Sequence, residues 1–176
     1  MRMIFKQSQK ITIIFLYNFF YFVSKYNRRD NMDKNEQDIN VLDELCKGAC
    51  MGRDAIHFII DKVEDESLLK ELNNQYKKYK EILLKISRIY PEYSEDDPHT
   101  TTAMNKVITW YGIEMKTLTD KSTSKIAELL LQGTNMGIIE GRRLLNHKDS
   151  NEEINSLLEE YVNIQEKAVE KLKKFL

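Results

Sequence analysis

The chain contains the pattern Gly-x-x-Met-Gly twice, as Gly48-Ala49-Cys50-Met51-Gly52 and, 85 residues later, as Gly133-Thr134-Asn135-Met136-Gly137. Both copies lie inside stretches whose apolar residues recur at helical spacing. A glycine inside a helix costs about 1 kcal/mol relative to alanine, and close approach of one helix to another is the usual compensation. We therefore predict a packing seam between the first and third helices, formed by Gly48, Met51, Gly52, Gly133, Met136 and Gly137.

The apolar spacing predicts four helices in all. They cover approximately residues 36–63, 67–90 and 104–146, with the fourth opening near residue 150. The third helix is the longest, and a kink near Gly112 or between Thr119 and Ser124 is compatible with its spacing. No alternating run of the kind that predicts a strand is present. We therefore predict an all-α fold, a four-helix bundle built from two similar helical hairpins with a long third helix.

Two stretches mark the boundaries between the predicted helices. Both prolines, Pro91 and Pro98, lie in the one clear break of periodicity, which divides the body into two halves. The run Ser150-Asn-Glu-Glu153 has the pattern of a capping box, in which a hydroxyl and a carboxylate satisfy free N–H groups at a helix start. It predicts that Ser150 is the N-cap of the fourth helix.

The offset of 85 residues extends beyond the glycine pattern. It also aligns Leu45 with Leu130, Leu72 with Leu157, and Tyr76 with Tyr161. Matched leucines carry little weight, because any two bundle helices share them. The matched glycine pairs and the matched tyrosine favour an internal duplication.

Residues 1–31 differ from the rest of the chain. They carry six basic residues and one acidic residue, and positions 11–23 form an apolar run. This run is shorter than the about 20 residues that span a membrane, and no small-residue cleavage site of a signal peptide follows it. We expect residues 32–176 to form the bundle and residues 1–31 to be an upstream extension absent from the working protein. A membrane anchor through residues 11–23 and an additional structural helix are the alternatives.

Charge and cysteine content limit the partners. The body beyond residue 31 carries 21 basic and 27 acidic residues, interleaved along the helices. Such a surface argues against nucleic-acid binding, which needs a positive face. Cys46 and Cys50 are one helical turn apart, and we interpret them as small core residues in a reducing cytoplasm. A redox or metal-binding pair is the alternative.

Four long helices, with a longer connection between the second and third and with related hairpins, resemble the ferritin-like superfamily. The run Gln132–Gly141 is similar to uncharacterised clostridial-type members of that superfamily. The resemblance covers roughly residues 36–174 and implies a four-helix bundle. Metal-bearing members supply a Glu from each of two helices and a Glu-x-x-His from each of two others. Here no such Glu precedes His57, His99 or His147, so the resemblance does not carry over a di-iron function.

Four side chains are candidates for a metal site or a buried polar cluster: Asp54, His57, Glu114 and Glu140. Asp54 and His57 are spaced so that both can reach one ion, although a hydrogen-bonded histidine at the core edge is the simpler interpretation. Glu140 lies on the apolar stripe of the third helix, where a carboxylate must be paired, protonated or metal-bound. We expect a pair with Arg53, Arg142 or His57.

These patterns lead to one function and one alternative. We expect a non-catalytic, cytoplasmic helical bundle that forms a homo-oligomer, has no cofactor and touches a membrane only if residues 1–31 are retained. The alternative is a metal-binding or redox protein whose core carboxylates and histidine hold a transition metal. No nucleophile triad or phosphate-binding glycine loop is present, so an enzyme is the less favoured class.

Overall fold

The computed structural model describes residues 34–95, 98, 122–147 and 149–176. This part of the chain is helical and contains no strand. Its four α-helices, α1 to α4, span Lys34–Ile59, Glu66–Ile89, Thr123–His147 and Glu152–Leu172. Short 3₁₀ turns follow α1, α2 and α4. The prediction of an all-α fold with four helices is confirmed.

The helices pack mainly on their neighbours in the chain. The contact between α3 and α4 is the most extensive, followed by that between α1 and α2. Further contacts join α1 to α3 and α4, and α2 to α4. The core consists of side chains with almost no exposed surface, among them Leu42, Ile59, Leu72, Ile82 and Leu158. The four helices therefore share one apolar core.

The first two helix boundaries follow from local chemistry. Asp65 is the N-cap of α2, and its carboxylate accepts a hydrogen bond from the backbone N–H of Leu68 at 2.8 Å. This bond satisfies one of the free donors of the first turn. The α-helix stops at Ile89, just before Pro91, which has no N–H to donate and lies in the following 3₁₀ turn.

The start of α4 differs from the prediction by one residue. The N-cap is Asn151, whose side chain accepts a hydrogen bond from the backbone N–H of Glu153 at 3.1 Å. Ser150 instead donates its hydroxyl to Asn155 at 2.7 Å. The predicted capping role of Ser150 is therefore wrong, because the asparagine beside it takes the position and amides and hydroxyls cap equally well. Asp38 of α1 secures this turn by accepting from the Asn151 N–H at 2.9 Å.

The predicted third helix is also interrupted. Ser122 is not helical and precedes α3, where its hydroxyl accepts a hydrogen bond from the N–H of Lys125 at 3.3 Å. Its carbonyl accepts from the N–H of Ile126 at 3.0 Å. These two bonds are those of a helix start. The predicted helix from about residue 104 to 146 is therefore interrupted at Ser122, within the range Thr119–Ser124 in which its spacing allowed a kink.

Several predictions concern parts of the chain outside the described residues. They are the N-terminal extension 1–31 with its apolar run, and the part of the predicted third helix upstream of Ser122, which contains Gly112 and Glu114. The statements made about them stay predictions. Among the helices of the described part, none has the length and apolar character needed to cross a membrane.

Candidate functional site

The space beside the first glycine pair is filled by aromatic side chains from other helices. A Cβ added at Gly48 would lie 2.5 Å from the hydroxyl oxygen of Tyr161 on α4. A Cβ added at Gly52 would overlap the ring of Tyr79 on α2. Both contacts would be closer than those that real Cβ atoms make. Each glycine of α1 is therefore a notch that receives one tyrosine.

The helix α3 offers notches of the same kind to α4. A Cβ at Gly137 would lie 2.8 Å from the Cδ atom of Gln165, and a Cβ at Gly141 would overlap a methyl group of Val162. The nearest atoms at these two positions, as at Gly48 and Gly52, belong to side chains of α2 or α4. The predicted direct contact between the glycines of α1 and α3 is therefore wrong at Gly48, Gly52 and Gly137.

The two methionines of the predicted seam, Met51 and Met136, differ in their burial. Met51 is half-buried, whereas Met136 is 45 % exposed. Gly133 is half-buried. The Met136 side chain therefore lies largely outside the bundle interior. The prediction that Met136 lies in the seam is therefore wrong.

Three side chains meet at these notches, and we call Tyr79, Tyr161 and Gln165 the Tyr–Gln cluster. The Tyr79 hydroxyl donates a hydrogen bond to Oε1 of Gln165 at 3.3 Å, a buried bond between α2 and α4. The two rings have centroids 6.5 Å apart and are tilted by 55°, a favourable geometry for an aromatic pair. The cluster thereby joins all four helices: α2 and α4 through this bond, α1 through Gly48 and Gly52, and α3 through Gly137.

Gln165 is the unusual residue of the cluster, because it is polar and yet only 2 % exposed. Its Nε2 makes no hydrogen bond of ordinary geometry within the described part of the chain. A buried donor without a good partner costs about 1–3 kcal/mol. Its other amide atom, Oε1, accepts a hydrogen bond from the Tyr79 hydroxyl, and the amide lies against Gly137.

Tyr161 is suited to hydrogen bonding and not to proton transfer near neutral pH. Burial raises the pKa of the Tyr161 hydroxyl well above its ordinary value of 10.0, and the neighbouring Tyr79 and Glu140 add to the rise. The Gln165 amide opposes it. The hydroxyl is therefore neutral throughout the physiological range.

The predicted metal or polar cluster is not assembled by its described members. Asp54 accepts from Nε of Arg53 at 2.7 Å, and His57 is exposed, with its ring 6.2 Å from that of Phe58. Within the described ranges, no three His, Cys, Asp or Glu side chains are grouped closely enough to hold a metal ion. The prediction that His57 lies at the core edge is wrong, because residues 57 and 58 project from the last turn of α1.

Glu140 finds a partner on its own helix. Its Oε2 accepts from Nη1 of Arg143 at 3.0 Å, one turn further along α3, where side chains meet naturally. The expected partners Arg53, Arg142 and His57 are therefore replaced by Arg143, and Arg142 pairs with Glu166 at 2.7 Å. Glu140 is half-buried and near enough to Tyr161 to raise its pKa. Glu114 lies outside the described residues.

The two cysteines form a second candidate site on α1. Cys46 and Cys50 are both buried and free. The Cys46 thiol donates toward the Cys50 sulfur and, with Arg53, lowers the pKa of Cys50 to about 7 against the effects of burial and Asp54. The same interaction raises the pKa of Cys46 far above its usual range. Cys50 is therefore the more acidic thiol of the pair.

Sequence reasoning missed Gln165 and the role of Tyr79. The matched positions Tyr76 and Tyr161 drew attention to the wrong tyrosine of α2, since Tyr76 is half-buried and Tyr79 is buried. Gln165 did carry a signal, because it lies four residues after Tyr161 on the apolar stripe of α4. A polar side chain at such a position is usually partnered.

Comparison with models of protein families finds no match for this chain, and comparisons with curated proteins and with solved structures find none either.

Proposed function

We propose that this protein is a non-catalytic helical bundle that acts by self-association. The residues that sequence analysis selected for chemistry support this reading. Asp54 and Glu140 are each paired with an arginine of the same helix. The glycine notches, which could have lined a pocket, are filled by tyrosine and glutamine side chains. We therefore place the proposed self-association on the outer surface of the helices.

The observation that carries the proposal is an exposed apolar pair on α3. Met136 and Ile139 are 45 % and 54 % exposed, and their spacing of three residues places them on one face of the helix. Gln132 on the preceding turn is exposed as well. Apolar contact centres with polar rims are typical of protein interfaces. The same face of a second copy, related by a two-fold axis, would cover the pair on both chains.

Light scattering coupled to gel filtration tests this proposal on the full chain. We expect a dimer for the wild type, and a monomer for Met136→Lys and Ile139→Lys, because a lysine at either position would place like charges across the two-fold axis. Leu84→Lys on α2 is the matched control, since Leu84 is 52 % exposed and stands outside the proposed face. A wild-type monomer at all concentrations, or a Leu84→Lys variant that dissociates equally, would refute the proposal.

We further propose that the bundle is ferritin-like and arose by duplication of one helical hairpin. Two observations support this relationship. The chain-neighbour pairs α1–α2 and α3–α4 have the most extensive contacts, and Gly52 and Gly137, matched by the offset of 85 residues, each face a large side chain of the next helix. An experimental structure tests it: residues 34–89 should superpose on α3 and α4 at that offset, and a different helix crossing in the two halves would contradict it.

A further inference from the structure

Met136 presents a thioether to solvent on the outer face of α3. It is 45 % exposed, whereas Met51, the other methionine among the described residues, is half-buried on α1. A thioether sulfur has no proton to lose, so its reaction with a peroxide depends on access and not on a pKa. Peroxides convert accessible methionines to the sulfoxide. Of these two methionines, we therefore expect Met136 to be oxidised first.

The neighbours of Met136 on this face are apolar or already bonded within the helix. Ile139, one turn further along α3, is 54 % exposed. On either side of this apolar pair, Gln132 donates a hydrogen bond to Glu128 at 3.3 Å, and Arg143 is paired with a carboxylate of α3 at 3.0 Å. The sulfur thus lies in a small apolar patch between polar side chains that are bonded to their own helix.

Oxidation at this position should leave the fold of a single chain intact. The sulfoxide adds a polar oxygen to an apolar side chain, and water can hydrogen-bond that oxygen at an exposed position. The part of α3 that packs in the core consists of other residues, among them Leu130 and Leu144, which are buried. The added oxygen therefore does not enter the bundle interior.

The self-associated form proposed above would respond differently. Met136 and Ile139 form the centre of its contact, from which water is excluded. A polar oxygen buried there without a donor opposes association. Two-fold symmetry doubles this effect, because each chain brings its own Met136.

We propose that Met136 is an oxidation site that regulates the self-association of this protein, an inference that rests on the proposed function. The oxidant is hydrogen peroxide: R–S–CH₃ and H₂O₂ give R–S(O)–CH₃ and H₂O. The peroxide O–O bond breaks and is reduced, while the sulfur gains one oxygen and is oxidised. Methionine sulfoxide reductases reverse the step at the expense of a dithiol, which becomes a disulfide while the oxygen leaves as water.

Self-association and oxidation should oppose each other. The two-fold contact would cover Met136, so peroxide reaches this side chain in the dissociated chain. The rate of Met136 oxidation should therefore fall as the protein concentration rises. The rate at Met51, which lies on α1 and outside the proposed contact, should not change with concentration.

Peroxide treatment of the full chain tests the proposal. Peptide mass spectrometry reads the oxidised site, and light scattering coupled to gel filtration reads the mass. We expect Met136 sulfoxide to accumulate before that of Met51, and the monomer fraction to follow it. The dissociation constant of the dimer should rise by about tenfold or more, with unchanged helical circular dichroism. Sulfoxide reductases with dithiothreitol should restore the dimer.

Met136→Leu is the matched control, because leucine keeps a similar apolar volume and has no sulfur to oxidise. This variant should form the dimer and keep it in the same peroxide, although its other methionines and both cysteines remain. Met51→Leu should dissociate as the wild type does.

Two results would overturn the regulation and leave self-association standing: a wild type that stays dimeric with Met136 oxidised, or a Met136→Leu variant that dissociates in peroxide. A wild type that is monomeric before any treatment would refute self-association itself, and this proposal with it.

Discussion

The hydroxyl of Tyr161 on α4 lies against Gly48 on α1, so close that a Cβ at residue 48 would come within 2.5 Å of its oxygen. This relationship explains why a helix of 26 residues tolerates glycine at its centre. The cost of glycine in a helix is about 1 kcal/mol, and burying an aromatic side chain in the space gained offsets it. The same exchange occurs between Gly52 and Tyr79.

Gly52 and Gly137, the second glycine of each Gly-x-x-Met-Gly pattern, should differ in how strongly an alanine substitution destabilises the fold. At Gly52 the added methyl would meet the rigid ring of Tyr79, whereas at Gly137 it would meet the end of the flexible Gln165 side chain. We expect Gly52→Ala to lower the free energy of unfolding by about 1–2 kcal/mol net of alanine's better helix propensity. Gly137→Ala should cost less.

Urea denaturation of both variants measures this difference. Ser156→Ala, at an exposed position of α4, is the control for helix propensity alone and should be neutral or slightly stabilising. Equal losses for Gly52→Ala and Gly137→Ala would show that ring rigidity does not determine the cost.

The hydrogen bond between Tyr79 and Gln165 should be worth less than the penalty for leaving one partner alone. Tyr79→Phe and Gln165→Leu are each expected to lower the free energy of unfolding by about 1–3 kcal/mol, because each removes one partner of a buried hydrogen bond. The double variant should cost less than the sum, since both polar groups are gone. Strict additivity in urea denaturation would indicate that the two side chains do not interact.

The raised pKa of Tyr161 predicts loss of stability at high pH. The folded pKa of Tyr161 lies well above the unfolded value of 10.0. The neutral hydroxyl therefore makes its full contribution to the free energy of unfolding below about pH 10, and this contribution declines as the pH rises further. One such group gives a slope of about 1.4 kcal/mol per pH unit. Tyr161→Phe should remove that part of the slope.

Denaturation of wild type and Tyr161→Phe between pH 9 and pH 11 provides the comparison. Groups other than Tyr161, including Tyr93, whose pKa burial also raises, titrate in both proteins and cancel in the difference. Parallel stability curves over this range would rule out the buried ionisation.

The four helices and their approximate bounds followed from apolar spacing, since the period of 3.6 residues is a property of local sequence. The interruption before α3 lies within the range Thr119–Ser124 in which a kink was considered, but apolar spacing alone did not fix its position. Ser122 precedes the start of α3, because backbone N–H groups of α3 donate hydrogen bonds to its carbonyl and to its hydroxyl. The start of α4 was misplaced because Ser150 and Asn151 are both good caps, and the choice depends on Asp38 of α1.

The candidate site was harder to predict than the fold. Glycine spacing located the notches correctly along α1, but not the side chains that fill them. A glycine notch accepts either a backbone or a large side chain, and the sequence does not distinguish these until the helices are placed. Met136 was misassigned for the same reason, as position 136 faces away from the notch at Gly137. Glu140 was expected to need a distant partner, although Arg143 stands one turn away.

The most direct test of the notch arrangement is a double-mutant cycle between Gly48 and Tyr161. With phenylalanine at position 161, the nearest atom to a Cβ at residue 48 becomes Cζ at 3.2 Å. We expect Gly48→Ala to lower the free energy of unfolding by about 1–3 kcal/mol in the wild type. In the Tyr161→Phe background the loss should be smaller by more than about 0.5 kcal/mol. Additive losses, with Gly48→Ala equally costly in both backgrounds, would contradict a glycine notch filled by this tyrosine.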